Sequence, residues 1–170
     1  MFILKSYLKR PSAKITSLQD INQRAEEYFI SINDKESIIK IKDKIDPNYI
    51  EGVLYLEYYG VVLMDFTYWD LIDQLWIYIT DLIENCIEYG ESETFFPDQS
   101  IRMSLKLINE KLVSFSIGSN KLVKRTLPKN ELFKALLDSG ELFFTKLQDY
   151  MGLDYKREIS KIKNIKRLIE

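Results

Sequence analysis

Histidine is absent from this 170-residue chain, and cysteine occurs only once. The absence of histidine excludes Ser-His-Asp and Cys-His nucleophiles, histidine general bases and zinc sites that contain histidine. A single cysteine cannot form a disulfide within the chain, which fits a reducing compartment. Because so much of the catalytic repertoire is missing, we expect a protein that is not an enzyme and has no cofactor.

Long apolar runs and phosphate-binding glycine motifs are also missing. Lys5 follows the first apolar residues at once, so no secretory signal peptide is predicted. No stretch approaches the ~20 apolar residues that a membrane-spanning helix needs. The six glycines are scattered and lack the spacing of a nucleotide-binding loop. These absences predict a cytoplasmic protein that does not contact membranes.

The composition is that of one ordinary folded domain. The chain is 46% hydrophobic and 29% charged, which excludes an intrinsically disordered protein. A chain of this length can bury roughly 70% of its unfolded surface, so it needs neither a disulfide nor a metal to fold. We predict a single domain over residues 1–170.

Alternating apolar positions predict several β-strands. They indicate a strand over residues 2–8, a hairpin with arms at 28–32 and 38–42, and a second hairpin over 53–66. Gly60 can adopt the positive φ of the turn in the second hairpin, although one long bulged strand is an alternative. A loop is predicted over residues 91–100, and a three-stranded meander is predicted over 101–126.

Apolar residues at spacings of three and four predict the helices. A short helix over residues 18–25 is capped by Ser17, and two long amphipathic helices run over about 68–89 and 128–152. Thr67 and Asp70 resemble a capping box for the first long helix. Cys86 lies on its apolar stripe and is predicted to be a buried core thiol. With a basic C-terminal helix over about 154–169, the fold class is α+β: an antiparallel sheet packed on two long helices.

Charge is distributed unevenly along the chain, although the net charge is only −2. Residues 45–101 contain twelve acidic residues and no lysine or arginine, whereas residues 102–170 carry a net charge of +7. If the central acids share one surface, they attract a cationic partner. The alternative, which the sequence leaves open, is that acidic and basic surfaces neutralise each other inside the domain.

The candidate partner-binding residues lie on and just before the first long helix. Acidic complementarity accelerates association, and aromatic anchors prolong a complex. The candidates are Trp69, Asp70, Asp73, Asp81, Glu84 and Glu88. The leading hypothesis is therefore a non-enzymatic protein-binding module whose partner is basic, and homo-oligomerisation is left open.

Two other functions are weaker readings of the same sequence. The basic C-terminal helix could contact nucleic-acid phosphates in a regulatory protein, but the acidic pI of about 5.4 disfavours nucleic acid as a partner. Asp65, Asp70 and Asp73 could hold Mg²⁺ in a carboxylate-only metalloenzyme. Pro97-Asp98 resembles the opening of a PD-(D/E)-x-K nuclease motif, but Ser104 stands where that motif needs an acid. No metal ligands are therefore assigned.

A resemblance supports the protein-binding hypothesis. The run Asp-Phe-Thr-Tyr-Trp-Asp-Leu-Ile-Asp-Gln-Leu-Trp at residues 65–76, followed by Phe-Pro-Asp-Gln at 96–99, resembles a group of small bacterial proteins. The resemblance covers roughly residues 52–151 and implies an α+β fold with no assigned chemistry. More loosely, the architecture is similar to the cytoplasmic immunity proteins of polymorphic toxin systems, which implies a cationic toxin domain as the partner.

Overall fold

The α+β fold is confirmed, and its strands form two antiparallel sheets. The structure is a computed structural model that describes residues 1–169. The strands over this part of the chain are β1 Phe2–Lys9, β2 Phe29–Ser31, β3 Glu51–Tyr58, β4 Val61–Met64, β5 Asp70–Leu71, β6 Glu91–Phe95, β7 Arg102–Leu107, β8 Leu112–Gly118 and β9 Leu122–Pro128. The first sheet has the order β2-β1-β3-β4, with β5 also paired to β3, and the second has the order β6-β7-β8-β9.

The helices lie between and beside these sheets. Over the same described residues they are α1 Ala25–Tyr28, α2 Lys35–Ile41, α3 Ile72–Tyr89, α4 Lys129–Met151 and α5 Lys156–Ile169, with short 3₁₀ turns at Lys42–Lys44 and Phe66–Tyr68. The two long helices contact each other and both sheets: α3 packs on β3, β6 and β7, and α4 packs on β1 and β9. Helix α5 packs on both long helices, so one apolar core joins all the layers.

Trp76 of α3 lies at the centre of this core and is 1% exposed. Its indole Nε1 donates a hydrogen bond to Ser6 Oγ of β1 at 3.1 Å, and its ring lies 6.3 Å from that of Phe143 in α4. A Cβ atom on Gly140 would lie 3.1 Å from the Trp76 ring. The glycine therefore allows α4 to approach α3 closely.

Two further local predictions are confirmed. The hairpin β3–β4 turns through Tyr59 and Gly60, whose φ angles are +46° and +80°. Cys86 is fully buried, and burial raises the pKa of its thiol to about 11. The thiolate form is therefore rare at neutral pH, as expected of a core cysteine.

The hairpin predicted over residues 28–42 is wrong in its second arm. Asp34 accepts a hydrogen bond from the Ser37 N–H at 3.1 Å, and this cap starts the helix α2. Ile38 and Ile41 both pack on the core, and their spacing of three residues is typical of a helix. Ile39 and Ile41 also alternate with other residues, which is typical of a strand, so the sequence pattern fits both structures. The first arm, β2, pairs instead with β1.

Three other boundaries differ from the predictions. Residues 18–24 form bends and turns in place of the predicted helix, and Ser17 Oγ accepts a hydrogen bond from the Gln19 N–H. Helix α3 begins at Ile72, and the capping box does not form because Asp70 belongs to β5. Residues 91–95, predicted as a loop, add the strand β6 to the meander, which therefore has four strands.

Candidate functional site

Part of the acidic side of α3 faces α5, where one lysine pairs with two of its acids. Asp81 and Glu84 each lie 2.7 Å from Nζ of Lys161, and Asp73 accepts a hydrogen bond from the Tyr155 hydroxyl at 3.0 Å. These contacts join acidic and basic parts of the chain within the domain. For Asp81 and Glu84, they agree with the interpretation in which acidic and basic surfaces pair with each other inside the domain.

Asp73 is partly buried where α3 meets the start of α5. Its Oδ1 atom is buried without a hydrogen-bond partner. Burial raises the pKa of this carboxyl, against the lowering effect of the hydrogen bond from Tyr155. Burial and the nearby Asp73 also raise the pKa of Tyr155, so that hydroxyl stays protonated and donates.

Asp70 of β5 anchors the loop that follows β6. It is 2% exposed, and its carboxylate accepts hydrogen bonds from the N–H groups of Leu71 at 2.6 Å, Asp98 at 3.0 Å and Gln99 at 2.8 Å. Three backbone donors account for this buried charge. The side chain is therefore not displayed to a partner.

The remaining two candidates are Trp69, whose backbone carbonyl accepts a hydrogen bond from the Gln99 side chain of this loop, and Glu88. Trp69 packs in a small satellite cluster with Ile21, Phe29 and Val53 on the first sheet. Glu88 is exposed near the end of α3. The six residues predicted to bind a partner are thus distributed between a helix interface, a buried loop anchor, an aromatic cluster and a helix end.

The carboxylates proposed as a metal site have separate partners as well. Asp65 accepts from Asn22 and from Thr67, whereas Asp70 and Asp73 make the contacts described above. Among residues 1–169, no group of three or more His, Cys, Asp or Glu side chains is arranged to hold a metal ion. No helix in that range is long and apolar enough to cross a membrane.

The ion pairs of α5 predict a measurable contribution to stability. Lys166 lies 2.6 Å from Asp138 and 2.5 Å from Glu141 and is 22% exposed. We expect Lys166→Met, which keeps most of the apolar stem, to lower the free energy of unfolding by about 1 kcal/mol. The measurement is urea unfolding at low and at high salt, where screening should reduce the difference. Lys156→Met is the control, because Lys156 is exposed and has no ion pair within residues 1–169.

The same contact predicts a pH dependence with a defined sign. Burial lowers the pKa of Lys166, but its hydrogen bonds to Asp138 and Glu141 outweigh burial and raise it. The stabilisation is therefore complete below the ordinary lysine pKa of ~10.4 and is lost as pH rises through the folded-state pKa. Burial raises the pKa of Asp138, but Lys166 and Lys134 outweigh that effect and lower it. The stabilisation that comes from Asp138 is lost as pH falls through its lowered pKa. If the difference in unfolding free energy between the wild-type protein and Lys166→Met does not change with pH, the assignment is wrong.

An open groove lies on the outer face of the first sheet, away from the long helices. Successive residues of a strand point to opposite faces, so Ser6 and Leu8 reach the core while Ile3, Lys5 and Tyr7 point outward. Antiparallel pairing sets Lys5 beside Tyr55 and Ile3 beside Glu57 of β3. The floor of the groove is therefore built by the central two strands of the sheet.

Asn22 closes one wall of this groove. Its Nδ2 donates to Asp65 Oδ2 at 2.9 Å, and its Oδ1 accepts from the Phe66 N–H at 3.0 Å. These bonds hold the segment before α1 against the turn that follows β4. The groove has a volume of about 480 Å³, and its lining residues are Ile3, Lys5, Tyr7, Asn22, Tyr55, Glu57, Val62, Asp65 and Phe66.

Three aromatic rings and two carboxylates define the chemistry of the groove. The ring of Phe66 lies 5.0 Å from that of Tyr7 and 5.8 Å from that of Tyr55. Tyr55 donates its hydroxyl to Glu57 Oε2 at 2.9 Å. Burial raises the pKa of both tyrosines, and the bond to Glu57 adds to the effect at Tyr55. The rings are therefore neutral at pH 7, and the negative charge comes from Glu57 and Asp65.

Tyr7, Asn22 and Phe66 also border a second depression of about 660 Å³ beside the first. Its wall includes Arg24, which is already paired with Glu27 at 2.6 Å. The two depressions form one continuous surface on which the first is the more aromatic part. Trp69, one of the predicted binding residues, packs in the cluster to which Tyr7 and Phe66 also belong, next to this surface.

Sequence reasoning missed the groove because its lining comes from four separated segments. No local motif singles out Tyr7, Tyr55 or Phe66. The available signal was the alternation that puts Val53, Tyr55 and Glu57 on one face of a strand. No family model, curated protein or solved structure matches this chain, so the groove is assigned from its geometry.

Proposed function

We propose that this protein is a non-enzymatic protein-binding module whose partner inserts a lysine or arginine side chain into the groove on the first sheet. The observation that supports the proposal is the combination of Glu57 and Asp65 with the rings of Tyr7, Tyr55 and Phe66. Such a lining offers a cation the carboxylate groups of Glu57 and Asp65 and the faces of aromatic rings.

The energetics of this lining favour arginine. A cation over an aromatic face gains roughly 0.5–2 kcal/mol, depending on how far it is desolvated. A guanidinium is planar and weakly hydrated, and it can stack on one ring while it donates to a carboxylate. Lys5 at the groove is exposed and reduces the negative charge by one, so the carboxylates exceed the cations by one. A single inserted cation balances this charge.

The proposed partner is a protein with a basic surface, and a cationic toxin domain fits this description. The chain then acts as a cytoplasmic immunity protein that covers part of the toxin. Support comes from the chemistry of the groove and from the loose architectural similarity to immunity proteins. The reading as a nucleic-acid-binding protein loses support, because Lys161 and Lys166 of the basic helix are engaged by acids of α3 and α4.

Neutralising one groove carboxylate tests the proposal. Glu57→Gln keeps the size of the side chain and an oxygen that can accept from Tyr55, but it removes the charge. We expect it to weaken binding of a fluorescent peptide of alternating arginine and valine by about tenfold, equivalent to ~1.4 kcal/mol. Fluorescence anisotropy measures the affinity, which should also fall as salt increases.

Glu93→Gln is the matched control for charge. Glu93 lies on β6 of the other sheet, is exposed and pairs with Arg102. Its substitution makes the same change in net charge and should leave the peptide affinity within about twofold. A peptide of alternating glutamate and valine should not bind. Equal losses for Glu57→Gln and Glu93→Gln would show attraction by net charge alone and would reject the groove.

A further inference from the structure

Strand β4 is an edge strand without a charged residue. It consists of Val-Val-Leu-Met over Val61–Met64 and pairs only with β3. Val61 and Val62 are 46% and 45% exposed, although both are large apolar residues. A free sheet edge presents backbone N–H and C=O groups that another strand can pair with, and proteins commonly protect such edges with charges.

The other sheet edges carry that protection. Strand β9 exposes Lys124 and Arg125 and ends at Pro128. Strand β6 carries Glu91 and Glu93, and both form ion pairs with β7. Strand β2 is only three residues long. Strand β4 has three paired residues and an irregular register at Leu63, and it is the one sheet end within residues 1–169 that combines an absence of charge with exposed valines.

The edge of β4 is continuous with the groove. Val62 lines the groove and is paired with Glu57 across the hairpin. Side chains alternate between the faces of a sheet, and directly opposed side chains on adjacent strands are ~5 Å apart. A residue of an added strand beside Val62 on the outer face is two strands, or about 10 Å, from Glu57, and a long side chain such as arginine can extend across Val62 toward that carboxylate.

We propose that the partner docks through an extended segment that adds to β4 as a further strand of the first sheet, with a basic residue beside Val62. This inference rests on the proposed function, in which a basic side chain of the partner enters the groove. It adds that the partner's backbone pairs with β4. Main-chain hydrogen bonds supply affinity in such strand addition, and the side chain that enters the groove supplies specificity.

Charge selects a basic partner over a second copy of this chain. Two copies paired through β4 would bring two grooves together, each with Glu57 and Asp65 and one lysine. Each groove then carries a net charge of −1, and the two grooves repel each other at low salt. In contrast, a strand with arginine or lysine at alternate positions directs its cations toward the carboxylates of the groove. Its remaining residues extend the apolar face that includes Val61.

Backbone pairing is tested with the arginine–valine peptide and an N-methylated form of it. N-methylation keeps every side chain and charge but removes the backbone N–H donors, so binding to the wild-type protein should fall by at least about tenfold. In the protein, Val62→Lys places a cation at the edge and should cause a similar loss. Leu122→Lys is the matched control, because Leu122 is a 44% exposed residue on the β9 edge.

The outcomes separate strand addition from binding in the groove. If the N-methylated peptide binds as tightly as the parent while Glu57→Gln still weakens both, strand addition is wrong and the cation site stands. If the parent peptide does not bind at about 1 mM, both proposals fail. If the protein forms a dimer that Val62→Lys dissociates, a second copy occupies the edge and the basic partner is rejected. Circular dichroism of Val62→Lys checks that a loss of binding is not a loss of fold.

Discussion

Replacement of Trp76 by alanine should lower the free energy of unfolding by about 3–5 kcal/mol, a large share of the ~5–15 kcal/mol that stabilises an ordinary domain. The side chain is 1% exposed and lies where β1, α3 and α4 meet. Alanine leaves a cavity there and also removes the donor to Ser6. Urea unfolding followed by circular dichroism measures the loss.

Gly140 provides an internal check on this prediction. In the wild-type protein, Gly140→Ala places a Cβ atom 3.1 Å from the Trp76 ring, and we expect it to destabilise by about 1–3 kcal/mol. In the Trp76→Ala background the ring is gone, so the same change should cost much less. Additive effects in this double-mutant cycle, or a loss below about 1 kcal/mol for Trp76→Ala, would contradict the packing described.

Replacement of Asp70 by alanine should lower stability by about 3 kcal/mol or more. The change leaves the N–H groups of Leu71, Asp98 and Gln99 without their common acceptor. Each unpaired buried donor costs about 1–3 kcal/mol unless water reaches it. Asp70→Asn should rescue little, because its NH₂ group would face one of the backbone donors. Urea unfolding at neutral pH measures all the variants.

Asp98→Ala is the control for the Asp70 prediction. The Asp98 side chain is exposed and accepts only the Tyr49 hydroxyl at 3.1 Å, while its backbone N–H still donates to Asp70. We expect a change within about 0.5 kcal/mol. If Asp98→Ala lowers the free energy of unfolding strongly and Asp70→Ala lowers it little, the assignment is wrong, and the Asp98 side chain holds the loop.

Hydrophobic periodicity by itself determined most of the elements and the composition of the core. The long helices α3 and α4 and the burial of Cys86 follow from regular spacing, because each repeat is a local property of the chain, and Gly60 indicates the turn of the second hairpin. Periodicity was insufficient over residues 35–41. There, isoleucines suit two repeats, and the cap at Asp34 selects the helix.

Only the tertiary structure decided what the acidic residues do. Lys161, which neutralises Asp81, lies 80 positions away in the sequence, and Asp70 meets its donors in a loop 28 and 29 positions later. The groove likewise joins Asn22, Tyr55 and Phe66 from separate segments. Local patterns establish which face of an element is apolar. Which charges meet across the core depends on how the elements pack, and that is a long-range property of the fold.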